Sequence, residues 1–291
     1  MRPDSWHLTE DLDDFLARAG DFLCSRPALH TTPLTTVEKL RTRGADAFGP
    51  GTTVFGRLEA GGEVRAVFLR PPTRRLTLTA LSPAQADALA AHLVGLGHSP
   101  SGVLSDHDTA TAFAEAWQRH TGAEPVRSWG ARLHRLAALT PPERVPAGRG
   151  RLVGQREHEH LMRWCREFAA DVGEDVTIDA ASWAGTRFAE KRYTYWETQD
   201  GTPVSMAGAN PLVGGQVRID PVYTPVPLRG RGYAGAVTVE VSRAALAAGA
   251  TEVVLFTDPA NPTSNALYRR IGYVPLADFT GYDFTHTGRQ P

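Results

Sequence analysis

The chain has 291 residues, of which 42% are hydrophobic and 22% charged, and its formal net charge is −1. That balance excludes a global field for nucleic acid or anionic lipid. No run approaches the roughly 18 uninterrupted apolar residues of a membrane helix. The two cysteines, Cys24 and Cys165, lie far apart without metal-ligand spacing. They suit a reducing compartment, so a cytoplasmic protein without disulfides or metal is expected. His158-Glu159-His160 is too tightly spaced for a zinc helix. The length predicts two domains of about 145 residues each.

The first half opens on a polar leader, 1–10, and an amphipathic helix carrying Leu12, Phe15, Leu16, Ala19, Phe22 and Leu23. A short second helix is expected over 35–43. Two β-rich runs, 52–59 and 63–69, flank Gly61-Gly62 and predict a hairpin. A strand over 76–79 follows, then a helix from Ser82-Pro83, an N-cap with a first-turn proline. A strand at 102–104, a helix over 108–120 and a strand near 132–136 complete this half. Residues 141–150, rich in proline and glycine, read as the linker. The expected division is therefore 1–140, linker 141–150, and 151–291.

In the second half a strand near 151–153 leads to a helix over about 157–170, and a second helical stretch is expected over 179–189. A hairpin follows, 192–197 and 203–207 around Asp200-Gly201. Next come a β-run 217–223, a loop 224–234, a helix 235–248, a strand 253–258, a helix beginning near Asn261-Pro262, and a last strand at 281–284. The order of elements repeats that of the first half. The first half has Ala80-Leu81-Ser82-Pro83 in place of the glycine loop, with a proline where a free N–H is needed. It reads as a degenerate copy that kept the fold and lost the phosphate cradle. An unrelated α/β domain is the alternative.

A glycine loop opening a helix presents free N–H groups and the positive end of a dipole, which suits pyrophosphate. Gly230-Arg231-Gly232-Tyr233-Ala234-Gly235 fits the dinucleotide pattern G-x-G-x-x-G, with Asp258 at about the expected distance. Against an NAD(P)-dependent oxidoreductase, six residues with two prolines separate strand from glycine, and the loop follows antiparallel hairpins. Arg229-Gly230-Arg231-Gly232-Tyr233-Ala234 also resembles the R-x-x-G-x-G/A loop of the GNAT acyltransferase superfamily. Asn261, with Leu267-Tyr268 and Gly272-Tyr273, resembles its second signature, N-x-x-(A)-x-x-L-Y-x-x-x-G-F/Y. Both motifs lie at the right separation. With the first half included, the chain resembles tandem GNAT proteins of actinobacterial type, an α/β fold with a mixed sheet and one degenerate domain.

The resemblance implies an N-acyltransferase that uses acetyl-CoA or another short acyl-CoA, acting on a small-molecule amine or on a protein or peptide amine. It implies direct attack on the thioester, with no metal. A monomer or homodimer is expected, without nucleic acid or membrane partners. Main-chain groups of Val222 and Tyr223 are expected to bond pantetheine amides. The stretch Arg229, Gly230, Arg231, Gly232, Tyr233 and Ala234 is expected to hold the pyrophosphate, and Thr224, Asn261, Ser264 and Tyr268 also to contact the cofactor. Tyr268 is expected to protonate the CoA thiolate; Asn261 also caps its helix. Asp220, Glu197 and Asp258 are the candidate general bases. Trp164, Trp183, Tyr193, Tyr195 and Trp196 line an acceptor pocket or form core. A non-catalytic acyl-CoA-binding protein is the other reading.

Overall fold

The structure, a computed structural model, describes residues 5–285. The chain forms two compact units: one runs to Leu133 and takes back the chain from Leu276, and the other is His134–Pro275.

The first unit starts with strand β1 (Ser5–Thr9), where a polar leader is expected. Trp6 and Leu8 give it a period of two, too short to stand out, and it becomes a strand by pairing antiparallel with β2. Helix α1 (Leu12–Ser25) is capped by Asp11, whose carboxylate accepts from the Asp13 and Asp14 N–H groups, and it buries Phe15, Ala19 and Leu23. Phe15 stacks on Phe55 at 4.8 Å. Helix α2 (Thr31–Arg43) begins four residues before the expected start.

Strands β2 (Val54–Ala60) and β3 (Glu63–Arg70) form the expected hairpin. Its two-residue turn puts Gly61 at φ 62° and Gly62 at φ 86°, the left-handed region that selects glycine there. Strand β4 (Leu76–Leu78) leads to α3 (Pro83–Gly95), with the Ser82–Gln85 capping box in place. Then follow β5 (Gly102–Asp106), α4 (His107–Thr121) and β6 (Glu124–Leu136), which crosses into the second unit. The core holds Phe68, Leu76, Leu89, Phe113 and Trp117.

The second unit continues with β7 (Arg149–Leu152), whose first residues fall in the stretch read as linker, and α5 (His158–Asp171). The helix expected over 179–189 is not formed; only Trp183–Gly185 make a 3-10 turn. Asp179 and Ser182 open this turn. Each accepts the other's backbone N–H, at 2.7 and 2.9 Å, as in a capping box, and one helical bond follows, Trp183 N–H to the Asp179 carbonyl at 2.9 Å, before the turn tightens to three-residue bonds and ends. Strands β8 (Arg192–Glu197), β9 (Pro203–Ala209) and β10 (Gln216–Tyr223) run antiparallel in series. Helix α6 (Tyr233–Ala247), β11 (Glu252–Thr257), α7 (Pro262–Arg270) and β12 (Tyr273–Thr285) complete the chain. Two cores lie in this unit. One gathers Val217, Ile219, Val237 and Tyr268; the other gathers Trp164, Cys165, Tyr193 and Tyr195.

The last strand departs most from the sequence reading, which placed it in the second half. Phe279–Asp283 pair antiparallel with β5 in the first unit. Arg75 clasps Asp283 at 2.6 and 2.9 Å, and Arg132 clasps Asp278 at 2.7 and 3.0 Å.

Arg151 forks onto Glu157 at 2.7 and 2.8 Å and also reaches Glu197 at 2.6 Å. The Arg151 guanidinium, with the Gly154 N–H, holds the Glu157 carboxyl down at about 2. A depressed carboxyl stabilises the fold fully above its unfolded value near 4.5, and that share is lost as pH falls through about 2. We expect Glu157→Gln to lower Tm at neutral pH and to shrink the further loss of Tm between about pH 5 and 2, read by thermal melts across that range. An unchanged acid loss would put it on other groups.

Candidate active site

β10 is the strand on which the site is built. Its parallel pairing with β11 covers only Gln216↔Glu252, Val217↔Val253 and Arg218↔Val254. Against β9 its register shifts between Ile219 and Val222, and Val222↔Ala207 and Tyr223↔Met206 keep its far end in the sheet. A bulge adds a residue, bends the strand and raises its twist. Beyond Arg218 the two parallel strands therefore part. They leave a gap edged by unpaired backbone, a cost that an extended amide ligand can offset by pairing as a strand does.

The corresponding place in the first unit is stitched shut. β4 and β5 pair at Leu76↔Val103 and Thr77↔Leu104. Just beyond, the Ser105 hydroxyl donates to the Leu78 carbonyl at 2.9 Å and Thr109 Oγ1 accepts the Leu81 N–H at 3.0 Å.

The loop after β10 is anchored at its base. Ser205 Oγ donates to the Tyr223 carbonyl at 3.0 Å and bonds the buried Thr224 hydroxyl at 2.9 Å. Tyr223 donates its own hydroxyl to Glu167 at 2.8 Å. Arg229 reaches back with Nε to the Thr224 carbonyl at 2.9 Å and ion-pairs with Asp171. Its guanidinium thus ties the loop to α5. Arg231 is exposed and its Nη2 donates to the Pro227 carbonyl at 3.3 Å. Gly230 and Gly232 sit at φ 76° and 83°. Nothing lies within 4 Å of a Cβ added at Gly230, and the nearest atom for Gly232 is 3.8 Å off. Backbone shape, and not crowding, therefore selects these glycines, and the approach to the loop is left clear. Gly232 caps α6 with no side-chain bond, so the N–H groups of Tyr233, Ala234 and Gly235 head the helix uncapped by a side chain.

The third part is the start of α7. Asn261 caps it, its Oδ1 accepting the Ser264 N–H at 3.0 Å. Asn265, which sequence reasoning missed, clamps the turn. It accepts from Thr257 Oγ1 at 2.7 Å and donates to the carbonyls of Asp258 and Asn261 at 2.9 and 2.8 Å. An Asn one helical turn after the N-cap was the available signal. Tyr268 is 7% exposed and meets the Tyr273 ring edge-on at 5.9 Å. Burial raises its phenol above the ordinary value against an opposing hydrogen bond from Ser264, and the Asp220 charge adds to the rise.

Residues 157–273 match the model of the Acetyltransferase (GNAT) family. This segment, 157–273, is a GNAT domain. Solved structures resemble the whole chain in fold. A GCN5-related N-acetyltransferase from Sphaerobacter thermophilus is 20% identical, with 100% of this chain and 99% of that one covered and a TM-score of 0.57. A tandem GNAT protein from the clavulanic acid biosynthesis pathway is 14% identical, with 99% and 100% covered and a TM-score of 0.58. A GNAT-family acetyltransferase from Colwellia psychrerythraea is 10% identical, with 97% and 100% covered, also at 0.58. No curated protein matches the chain. The architecture is thus a mixed α/β fold of tandem GNAT type.

Within the GNAT domain the three carboxylates considered as bases are all engaged. Asp220 is on the gap strand but accepts from Arg187 at 2.5 Å and from Lys191. Although burial opposes it, these cations hold the carboxyl far below the ordinary range. At neutral pH Asp220 organises cations and does not take up a proton. Glu197 is bound by Arg151 and Arg149 at 2.6 and 2.9 Å, away from the gap on the pairing edge with β7. Asp258 Oδ1 accepts the Ala260 N–H at 2.8 Å. Of the aromatics, Trp164, Tyr193, Tyr195 and Trp196 are core and Trp183 is half-buried; Trp183 and Tyr193 line a recess. The Cys165 thiol is buried and pushed up to about 12, which leaves no thiolate nucleophile at neutral pH. His158 meets Trp183 and His160 packs on Trp164, so the two imidazoles take different aromatic partners. No helix among the described residues is long and apolar enough to cross a membrane.

Proposed function

We propose that the GNAT domain transfers an acyl group, acetyl or another short one, from CoA to a primary amine. The observation that carries this reading is the parting of β10 and β11 beyond Arg218↔Val254, which runs into the glycine-headed start of α6. Pyrophosphate is held on the N–H groups from Gly230 to Ala234, with the α6 dipole behind them. The backbone of Val222 and Tyr223 receives the pantetheine amides along the gap. The amine attacks the thioester carbonyl, the C–S bond breaks, and Tyr268 gives its proton to the departing thiolate. With Asp220 held as an anion among cations, the amine's proton leaves through water.

Thermal melts with acetyl-CoA, CoA, NADH and NADPH added separately test this reading. A ligand at about 100 times its dissociation constant adds roughly 2.7 kcal/mol, enough to raise Tm by several degrees. Shifts with acetyl-CoA and CoA alone, followed by thiol release with amines, are the expected result. A shift with a nicotinamide cofactor instead overturns it. Binding of CoA without transfer to any amine would leave an acyl-CoA-binding protein.

A further inference from the structure

Tyr223 is the last residue of β10 and lies beyond Arg218↔Val254, the last pair with β11. Its carbonyl is held by Ser205, and its side chain crosses to α5. Alternate residues of a strand face opposite sides of the sheet. Val222 packs on the core that holds Tyr268, and Tyr223 in the core that holds Trp164, whose ring it meets edge-on at 6.1 Å. The gap strand thus has Tyr268, the acid of the reading above, on one side and the Tyr223 hydroxyl on the other.

That hydroxyl donates to Glu167 Oε2 at 2.8 Å. Glu167 and Asp171 stand one helical turn apart on α5, so one face of this helix takes both Tyr223 and Arg229. Asp220 and Glu197 are each bound by two cations. Half-buried Glu167 pairs with no described cation, and its Oε1 accepts no hydrogen bond from a described residue. Burial, and then the bond to Glu167, push the Tyr223 phenol above its ordinary value, so it keeps its proton at neutral pH. Asp171 adds to the rise; Arg229, whose guanidinium lies 5.9 Å from the ring centre, opposes it. A phenol both donates and accepts, so one bonded to a carboxylate takes a proton on its oxygen as it gives its own away.

We propose that Glu167 receives the acceptor amine's proton through the Tyr223 hydroxyl, and that the acceptor enters the gap from the α5 side as an ammonium. The ammonium gives a proton to the Tyr223 oxygen while the phenol's own proton moves to Glu167. The freed lone pair on nitrogen forms the bond to the thioester carbonyl carbon, and the half-buried carboxyl hands its proton to water. When the C–S bond breaks, a second N–H proton replaces the one that Tyr268 gives to the thiolate. This rests on the acyl-CoA reading above and supplies the first step of its route through water.

Two isosteric pairs of nucleophiles test it on the full chain: ethylamine with methoxyamine, and benzylamine with phenylhydrazine. The first of each pair is a cation at neutral pH and must lose a proton before it attacks; the second is already neutral. Turnover is read by thiol release and CoA affinity by direct titration. Glu167→Gln keeps an acceptor for the Tyr223 hydroxyl and removes the basic oxygen. It is expected to cut turnover with ethylamine and benzylamine by about 10²-fold, and with the neutral partners by less than about tenfold, while CoA affinity holds. Tyr223→Phe is expected to do the same, and the double variant to lose no more than either alone, as residues acting as a unit do. Equal losses with both members of a pair would make Glu167 an anchor of the strand only, and unchanged turnover in Glu167→Gln would send the proton elsewhere. Either result overturns the proposal, as do additive losses in the double variant. A wild type that releases no thiol with any of the four nucleophiles sinks the acyl-transfer reading, and this proposal with it.

Discussion

Tyr268→Phe is expected to lower the turnover of the proposed acyl transfer by about 10²- to 10³-fold, within the range for a positioned general acid. CoA affinity and the fold change little. The side chain is 7% exposed and packed in the core that also holds Val237, Ile271 and Tyr273, and phenylalanine keeps that ring contact. What is lost is the hydroxyl and its bond with Ser264, worth about 1 kcal/mol of stability. Burial and the Asp220 charge both favour the neutral phenol, so the proton to be donated is present throughout the neutral range. Steady-state thiol release with direct titration of CoA separates the two effects. Equal turnover in the two proteins would remove Tyr268 as the acid.

Gly272→Ala has the largest expected effect on stability. Gly272 has φ 101°, a conformation that side chains rarely adopt, and a Cβ there would overlap the Ala138 carbonyl oxygen. The close approach is used: Ala137 N–H donates to the Gly272 carbonyl at 3.0 Å, and Thr140 N–H to the Ile271 carbonyl at 3.1 Å. Backbone strain and overpacking each cost about 1–3 kcal/mol, and here they add. We expect a loss of more than about 3 kcal/mol, measured by urea unfolding. A loss under about 1 kcal/mol would show that residues 137–140 move aside freely. The signature glycine after Tyr268 thus has a structural reason of its own, since only a residue without Cβ admits the segment 137–140 that packs there.

Much of the local structure around the candidate site was legible because its signals are local. Asn261-Pro262 announced a helix start, and the Asn caps it. Gly61-Gly62 announced a turn, and Ser82-Pro83 a cap. The glycines at 230 and 232 take the positive φ that only glycine adopts readily. Spacing alone put Asn261 and Tyr268 two helical turns apart on one face. Each of these statements concerns residues within a few positions of one another, where dihedral preference and short-range hydrogen bonds decide.

What the tertiary structure decided concerns partners distant in the chain. Asp220 looked like a base because a carboxylate on the gap strand suits that work; Arg187 and Lys191, about thirty residues earlier, make it an ion-pair anchor instead. Arg229 looked like a phosphate ligand, and Asp171 on α5 claims its guanidinium. The run read as a strand at 281–284 names no partner, and β5 takes it: Phe279 pairs with Asp106, 173 positions back, and Asp283 with Gly102, 181 positions back. Local propensity sets which segments become helix, strand or turn. Which charge is neutralised and which sheet edge is closed depends on contacts that only form once the chain has packed, and those contacts assign the chemistry of each carboxylate and guanidinium in this site.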